Sequence, residues 1–332
     1  MKSSKYDLRA PYLLGERALF RRVARFRCGL KQGKAGRKAN RAKGGGYESH
    51  DSYEEHGGTT FIERIFCDID NIHVMRDSLA KVIEALNNPN KKGEKKWFEL
   101  LDDSKWMQHL RLILIASNRV VDRIKNNGHS TLIHCSDGWD RTPQLSALSQ
   151  LCLDGYYRTL EGFLVLIDKE WCAFGHKFQD RIGHTVNKPQ DTERSPVFIQ
   201  FLDAVYQIMC QFPEAFEFSE RLLIFLAEHL FSARFGNFLF NCVKDRLAHN
   251  LHEKTKSIWF HILHNDHRGQ FLHPIFDKNS RCKTLVPNTA VIRMTFWIRL
   301  YNRFNPSTPR DQLLEWALRS QQRQSQSAPT NM

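Results

Sequence analysis

Apolar positions recur at helical spacing along most of the chain, and a short β-prone run interrupts them near the middle. Over Lys105–Lys125 the side chains of Trp106, Leu110, Ile113, Val120, Val121 and Ile124 share one face of a long helix. Ser104 is the expected N-cap and Gly128 the stop. Thr131, Leu132 and Ile133 suit a buried strand. From Thr142 onward Leu145, Leu148, Leu151 and Cys152 return to the helical period. Upstream, Phe61–Asp70 reads as a strand and Ser78–Leu86 as a helix that stops at Asn87-Asn88-Pro89. Downstream, Gly162–Ile167 is a compact apolar run. A long amphipathic helix follows Phe198 with Phe201, Leu202, Val205, Ile208 and Met209 inward, and Pro213 breaks it. Residues 216–243 add Leu- and Phe-rich helix that reads as core, Trp259–Phe276 is aromatic, and Asp311–Arg323 forms a last helical pattern. The polar segments 49–60, 90–96 and 183–193 read as loops, and 324–332 as a disordered tail.

A strand, a loop and a helix meet at His134-Cys135-Ser136-Asp137-Gly138-Trp139-Asp140-Arg141-Thr142. A loop at a helix entrance points free backbone N–H groups at one spot, where the helix dipole is positive. It can hold a phosphate and can lower the pKa of a cysteine placed there. In such a loop Cys135 is the nucleophile that carries a phosphocysteine, and Arg141 presents its planar fork to two phosphate oxygens. The N–H groups from Ser136 to Arg141, through Asp137, Gly138, Trp139 and Asp140, cradle the other oxygens. Thr142 is placed to hydrogen-bond the sulfur. Asp140 is the preferred general acid for the leaving alkoxide and Asp137 the alternative. This chemistry requires no metal and no cofactor.

The spacing alone is a weak signal, because Cys152-Leu153-Asp154-Gly155-Tyr156-Tyr157-Arg158-Thr159 repeats it with the same trailing threonine. No strand precedes that copy, and its cysteine falls on the apolar side of a helix, where a thiol is ordinarily inert filler.

Charge refines the picture. The formal net charge is +13, with 49 Lys and Arg against 36 Asp and Glu. Residues 1–46 hold fourteen basic and two acidic side chains, which leaves 35 against 34 in the rest. The excess belongs to one segment without interleaved aromatic platforms, so a nucleic-acid partner is not expected. Contact with anionic lipid or simple solvation accounts for it. No run approaches the ~20 apolar residues of a membrane span. Eight cysteines without dense spacing read as reduced thiols in a cytosolic protein, and no Cys/His cluster resembles a zinc site.

The stretch His134–Thr142 resembles the signature of the myotubularin family of phosphoinositide 3-phosphatases, in which Asp137, Trp139 and Asp140 set the loop apart from ordinary tyrosine phosphatases. Further motifs follow in the family's order. Asn40-Arg41-Ala42-Lys43-Gly44-Gly45-Gly46-Tyr47-Glu48 resembles its Asn-Lys-Ala-Lys-Gly-Gly-Gly-Tyr-Glu, and Asn71-Ile72-His73-Val74-Met75-Arg76 matches without change. Glu170-Trp171-Cys172-Ala173-Phe174-Gly175-His176-Lys177-Phe178 differs by Lys177 where the family commonly has Arg, and Arg194-Ser195-Pro196-Val197-Phe198 matches again. Tyr6-Asp7-Leu8-Arg9 resembles an earlier family motif with a much longer spacer after it.

The resemblance covers residues 40–307. It implies an α/β fold, a cysteine-phosphatase-like central sheet flanked by helices with a helix-rich C-terminal half. It implies substrate contacts from Asn40, Asn71, Ile72, Ser136, Asp137, Gly138 and Trp139, with Lys177 and Arg181 gripping a headgroup phosphate. Lys177 keeps the charge and loses the bidentate fork, so the doubly phosphorylated lipid is the less secure substrate. His73 reads as structural. The implied organisation is a basic divergent segment over 1–39, a partial phosphatase domain over 40–323 and a tail over 324–332. The lipid-binding PH-GRAM domain and the later coiled coil common in the family are not evident.

The implied activity is removal of the 3-phosphate from phosphatidylinositol 3-phosphate, and from the 3,5-bisphosphate as a further substrate. It would occur on endosomal membranes facing the cytoplasm, in homo- or hetero-oligomers with other members. The alternatives are an inactive phosphoinositide-binding scaffold or regulatory subunit, against which the presence of both Cys135 and Arg141 argues, and a protein tyrosine phosphatase, against which the acidic loop argues.

Overall fold

The computed structural model describes residues 27–29, 64–87, 94–184 and 192–303. The expectations for residues 1–26, for Asn40 and its glycine-rich motif, and for the segments beyond residue 303 lie outside the described residues. Helices dominate. Strands β1 (Arg27–Gly29), β2 (Arg64–Phe66) and β3 (Leu132–Ile133) pair in parallel in the order β2-β1-β3, so β1 lies between its partners. These pieces are two or three residues long, and a larger central sheet is not seen among the described residues.

Among the described residues the expected strand over Phe61–Asp70 appears as β2 and ends at Phe66, and the chain turns at Asp68, whose φ is 52°. Helix α1 (Ile72–Asn87) starts six residues before its predicted first turn. The side chain of Asn71 accepts the N–H groups of His73 (3.0 Å) and Val74 (3.2 Å), which closes the helix end. Helix α2 (Glu94–Asp103) leads into α3 (Trp106–Lys125) through Lys105 in the left-handed region. Lys105 is therefore the cap residue, and the hydroxyl of Ser104 takes the N–H of Trp106 at 3.2 Å. Trp106, Leu110, Ile113, Val120 and Val121 are buried as the period predicts, but Ile124, in the last turn, is 38% exposed. β3 is likewise not the buried strand expected, since Leu132 is 46% exposed.

Helix α4 (Arg141–Leu153) runs through the interior: Pro143, Gln144, Leu145, Ala147, Leu148, Ser149, Leu151 and Cys152 are all buried. A helix buried around most of its circumference must satisfy its polar groups internally. Gln144 donates to the carbonyl of Val197 (3.0 Å) and to Gln200 Oε1 (2.9 Å), which fastens α4 to α7 (Val197–Gln211). The indole of Trp106 donates to Asp203 Oδ2 at 3.0 Å and fastens α3 to the same helix. Between these helices lie α5 (Leu160–Ile167), a π-helical extension over Asp168–Ala173, and the five-residue α6 (Phe178–Ile182). The rings of Phe163, Trp171, Phe178, Phe198, Phe201 and Phe238 pack together with centroids about 4.9–6.2 Å apart, within the range where aromatic pairs attract.

Helix α8 (Glu220–Phe231) buries Leu222, Leu223, Leu226, Ala227 and Leu230, whereas Phe231 is 59% exposed and departs from the expected core role. Of the aromatic stretch, Phe271 is buried and Phe260 exposed. A second unit begins at Phe296 and includes the short helix Ile298–Tyr301. Six described cysteines carry free thiols, as expected, but Cys67 is disulfide-bonded and corrects the reading of all thiols as reduced. No helix among the described residues is long and apolar enough to cross a membrane.

Candidate active site

The loop from Cys135 to Asp140 joins β3 to the N-terminus of α4. It reverses at Gly138, whose φ of 90° suits glycine and strains any L side chain although a Cβ there would meet only open space. The reversal brings two donors to one sulfur. Cys135 Sγ accepts the N–H of Gly138 at 3.0 Å and the hydroxyl of Thr142 at 3.3 Å. Cys135 is half-buried, and Ser136 and Asp137 face solvent. Arg141 donates to Ser136 Oγ and to the carbonyl of Ile69, both at 3.3 Å, so its fork bridges the loop and the segment before α1. Ser136 in turn donates to Asp137 Oδ2 at 3.0 Å.

The segment from Ile69 to Ile72 thus stands beside the loop. Asn71 spends its side-chain carbonyl on capping α1, and the carbonyl of Ile72 accepts Ser195 Oγ at 2.8 Å. His73 is exposed, and its ring makes no hydrogen bond among the described residues. Lys177 lies with its ammonium 4.4 Å from the centroid of the Trp139 ring and 4.0 Å from Asp180 Oδ2. A cation over an indole face is held by the ring quadrupole. The motif is therefore brought to the loop, with its lysine above the loop's tryptophan.

Asp140 and Arg181 come together beneath the loop. Nε and Nη2 of Arg181 donate to the two carboxylate oxygens of Asp140 at 2.9 and 2.8 Å. Nη1 reaches both the carbonyl and a carboxylate oxygen of Glu193 at 3.0 Å. Four of the five N–H bonds of the guanidinium are thereby engaged. Burial alone would raise the pKa of Asp140, but hydrogen bonds and charge from His176 and Arg181 outweigh it and hold the carboxyl well below the usual carboxylate range. A carboxyl held so firmly ionised carries a proton reluctantly, which weighs toward Asp137, the alternative acid, and away from Asp140. Arg181 is 4% exposed and serves here as the partner of Asp140.

Sequence reasoning missed His176. Its Nδ1 is 2.7 Å from the carbonyl of Trp139 and 3.3 Å from Asp140 Oδ1. The only sequence signal was its place inside the motif that also carries Lys177. The second cysteine copy, by contrast, holds no site. Burial pushes the Cys152 thiol up to about 12. Arg158 is fully buried and donates to the carbonyls of Leu151, Cys152, Ser280, Arg281 and Lys283.

Residues 31–247 match the family model described as the myotubularin-like phosphatase domain. Myotubularin of Xenopus tropicalis is 44% identical over 268 residues, covering 81% of this chain and 43% of that protein. Phosphatidylinositol-3,5-bisphosphate 3-phosphatase MTMR2 of Mus musculus is 45% identical over 268 residues, 81% of this chain and 40% of that protein. Phosphatidylinositol-3,5-bisphosphate 3-phosphatase mtm-1 of Caenorhabditis elegans is 46% identical over 270 residues, 81% of this chain and 44% of that protein. The chain spans less than half the length of these curated relatives. On a family match that runs through the cysteine loop and on identities of this size across four-fifths of its length, the chain belongs to the myotubularin-like phosphatase family.

Proposed function

We propose that this chain removes the 3-phosphate of phosphatidylinositol 3-phosphate, and of the 3,5-bisphosphate more weakly, through a phosphocysteine at Cys135. The observation that carries the reading is the convergence of Gly138 N–H and Thr142 O–H on Cys135 Sγ at the entrance to α4, with Arg141 in the same loop. Family membership and the naming of two relatives as phosphatidylinositol-3,5-bisphosphate 3-phosphatases support the substrate class.

In the first step Cys135 Sγ forms a bond to phosphorus and the ester bond to the inositol 3-oxygen breaks. Arg141 and the loop N–H groups hold the three equatorial oxygens, which lowers the barrier through charge already in position. The inositol oxygen takes its proton from Asp137, which is exposed beside Ser136 and free of the Arg181 pair. In the second step water gives a proton to the Asp137 carboxylate and its oxygen attacks phosphorus, the P–S bond breaks with the thiolate stabilised by Thr142 and Gly138, and inorganic phosphate leaves. Asn40, Asn71 and Ile72 line the inositol, together with Ser136, Gly138 and Trp139 of the loop. Lys177 meets a headgroup phosphate as a point charge, and the remaining N–H of Arg181 is its second contact.

The rest of the reading follows the family. Residues 40–323 form the phosphatase domain, with β2 and β3 in its central sheet and β1, from the preceding segment, paired between them. The protein works in the cytoplasm as a peripheral protein of endosomal membranes and associates with its own copies or with relatives. The scaffold alternative is not favoured, because Cys135 and Arg141 are both present.

Phosphate release from short-chain phosphatidylinositol 3-phosphate tests the proposal. Release by the wild type that is absent from Cys135→Ser is the expected result. A folded wild type that releases none would sink it.

A further inference from the structure

Beneath the phosphate loop, His176 does something that no step of the reaction uses. It is 1% exposed and lies edge-on to Trp171 (centroids 4.9 Å, planes at 81°) and to Phe178 (4.8 Å, 86°). A five-membered ring wedged at right angles between two larger rings has no room to rotate, so Nδ1 is fixed in direction. That nitrogen is 2.7 Å from the carbonyl oxygen of Trp139, which can only accept, so Nδ1 carries the hydrogen.

The bond falls on a peptide with a special position. Trp139 and Asp140 stand between the reversal at Gly138 and the phosphate fork of Arg141. Asp140 adopts φ −112° and ψ −81°, outside the regular helical and extended regions, at the last position before α4. No peptide bond among the described residues is cis. In a trans amide the N–H points opposite to the C=O. With the Trp139 carbonyl tied inward to His176, the N–H of Asp140 is turned the opposite way, away from His176 and the interior.

We propose that His176 is a positioning residue that locks the Trp139–Asp140 peptide so that the Asp140 N–H faces the bound phosphate. The inference rests on the phosphatase reading for its ligand class, a tetrahedral oxyanion. Without the imidazole donor the peptide is free to flip. A flip replaces a donor by a carbonyl oxygen, whose lone pairs repel the phosphoryl oxygens. Arg181 cannot supply the missing restraint, because it grips the Asp140 side chain and not the peptide.

Two substitutions separate this role from simple packing. His176→Phe keeps an aromatic ring between Trp171 and Phe178 and removes the donor. His176→Asn sets an amide N–H near the place of Nδ1 and removes the ring. Tungstate, a tetrahedral oxyanion, is titrated by calorimetry into the wild type and each variant of this 332-residue chain, and turnover of short-chain phosphatidylinositol 3-phosphate and the melting transition are measured on the same samples. The expected result is tungstate binding weakened about tenfold and kcat lowered about 100-fold in His176→Phe, the size of losing one oriented donor. His176→Asn should recover most of both even where it melts earlier.

Wild-type binding and turnover in His176→Phe would overturn the inference. So would losses in both variants that follow the melting temperature rather than the donor, or a wild type that binds no tungstate. A wild type that binds tungstate but releases no phosphate would sink the phosphatase reading instead, and the tungstate series would still decide the role of His176.

Discussion

Two segments of this chain carry a cysteine, five residues, an arginine and a threonine, and they have nothing in common beyond that spacing. In Cys135–Thr142 the five residues form a loop, the cysteine receives two hydrogen bonds, and the arginine spans the loop and a neighbouring segment. In Cys152–Thr159 the cysteine ends a buried helix and the next residues make a 3-10 turn. Its arginine points inward to gather five backbone carbonyls. On the proposed mechanism the same residue types serve chemistry in one place and stability in the other. Backbone direction decides between them: α4 begins at the first copy and ends at the second. Only a helix N-terminus offers free N–H groups to an anion.

The comparison breaks most sharply at the cysteines. Cys135→Ser should lower phosphatidylinositol 3-phosphate turnover by about 10⁴-fold or more, because no other group can carry the phosphoryl intermediate. Cys152→Ala should leave turnover per folded molecule within about twofold and cost about 1 kcal/mol of stability in a urea titration, as a small buried deletion does. A loss of turnover in Cys152→Ala would contradict the division of roles.

The arginines sharpen the comparison in opposite directions. Arg141→Lys should cut kcat about 100-fold with little change in the unfolding midpoint, since the fork is lost and the charge kept. Arg158→Met should do the reverse. It strands several buried carbonyls and should destabilise the fold by about 3 kcal/mol or more, with kcat per folded molecule nearly unchanged.

The two loop carboxylates give a smaller and more diagnostic contrast. Asp137→Asn should reduce hydrolysis of the lipid about 100-fold and spare an aryl phosphate, whose leaving group needs no proton. Asp140→Asn should reduce both alike, because it loosens the loop through Arg181 and His176. The opposite pattern, with the aryl phosphate spared in Asp140→Asn, would restore Asp140 as the acid.

Acid stability carries the smallest effect. The folded-state pKa of Asp140 is depressed, so the stabilisation from its ion pair is fully present above the unfolded value of about 4 and is lost as pH falls toward the folded value. Melting temperature measured between pH 6 and pH 3 should therefore fall more steeply for the wild type than for Asp140→Asn.

The sequence made the chemistry legible where the signal is local. Strand, loop and helix about Cys135 lie within a few residues of one another, and the long helices announce themselves through period. The errors have local causes of another kind. Ile124, Leu132 and Phe231 fit an apolar pattern but sit at element ends, where burial lapses. The early start of α1 has a local cause too, since the side chain of Asn71 caps it six residues before the apolar period begins. The pair of Asp140 with Arg181 and the contact of Trp139 with His176 join residues about forty positions apart. No periodicity or spacing announces a contact at that range; only the packing of α6 beneath the loop creates it.

The most direct test is to quench the enzyme in acid during turnover of phosphatidylinositol carrying a ³²P-labelled 3-phosphate, and to map the labelled peptide. The account predicts label on the peptide that contains Cys135 and none on the peptide that contains Cys152. Label on Cys152, or steady phosphate release with no labelled cysteine, would contradict it.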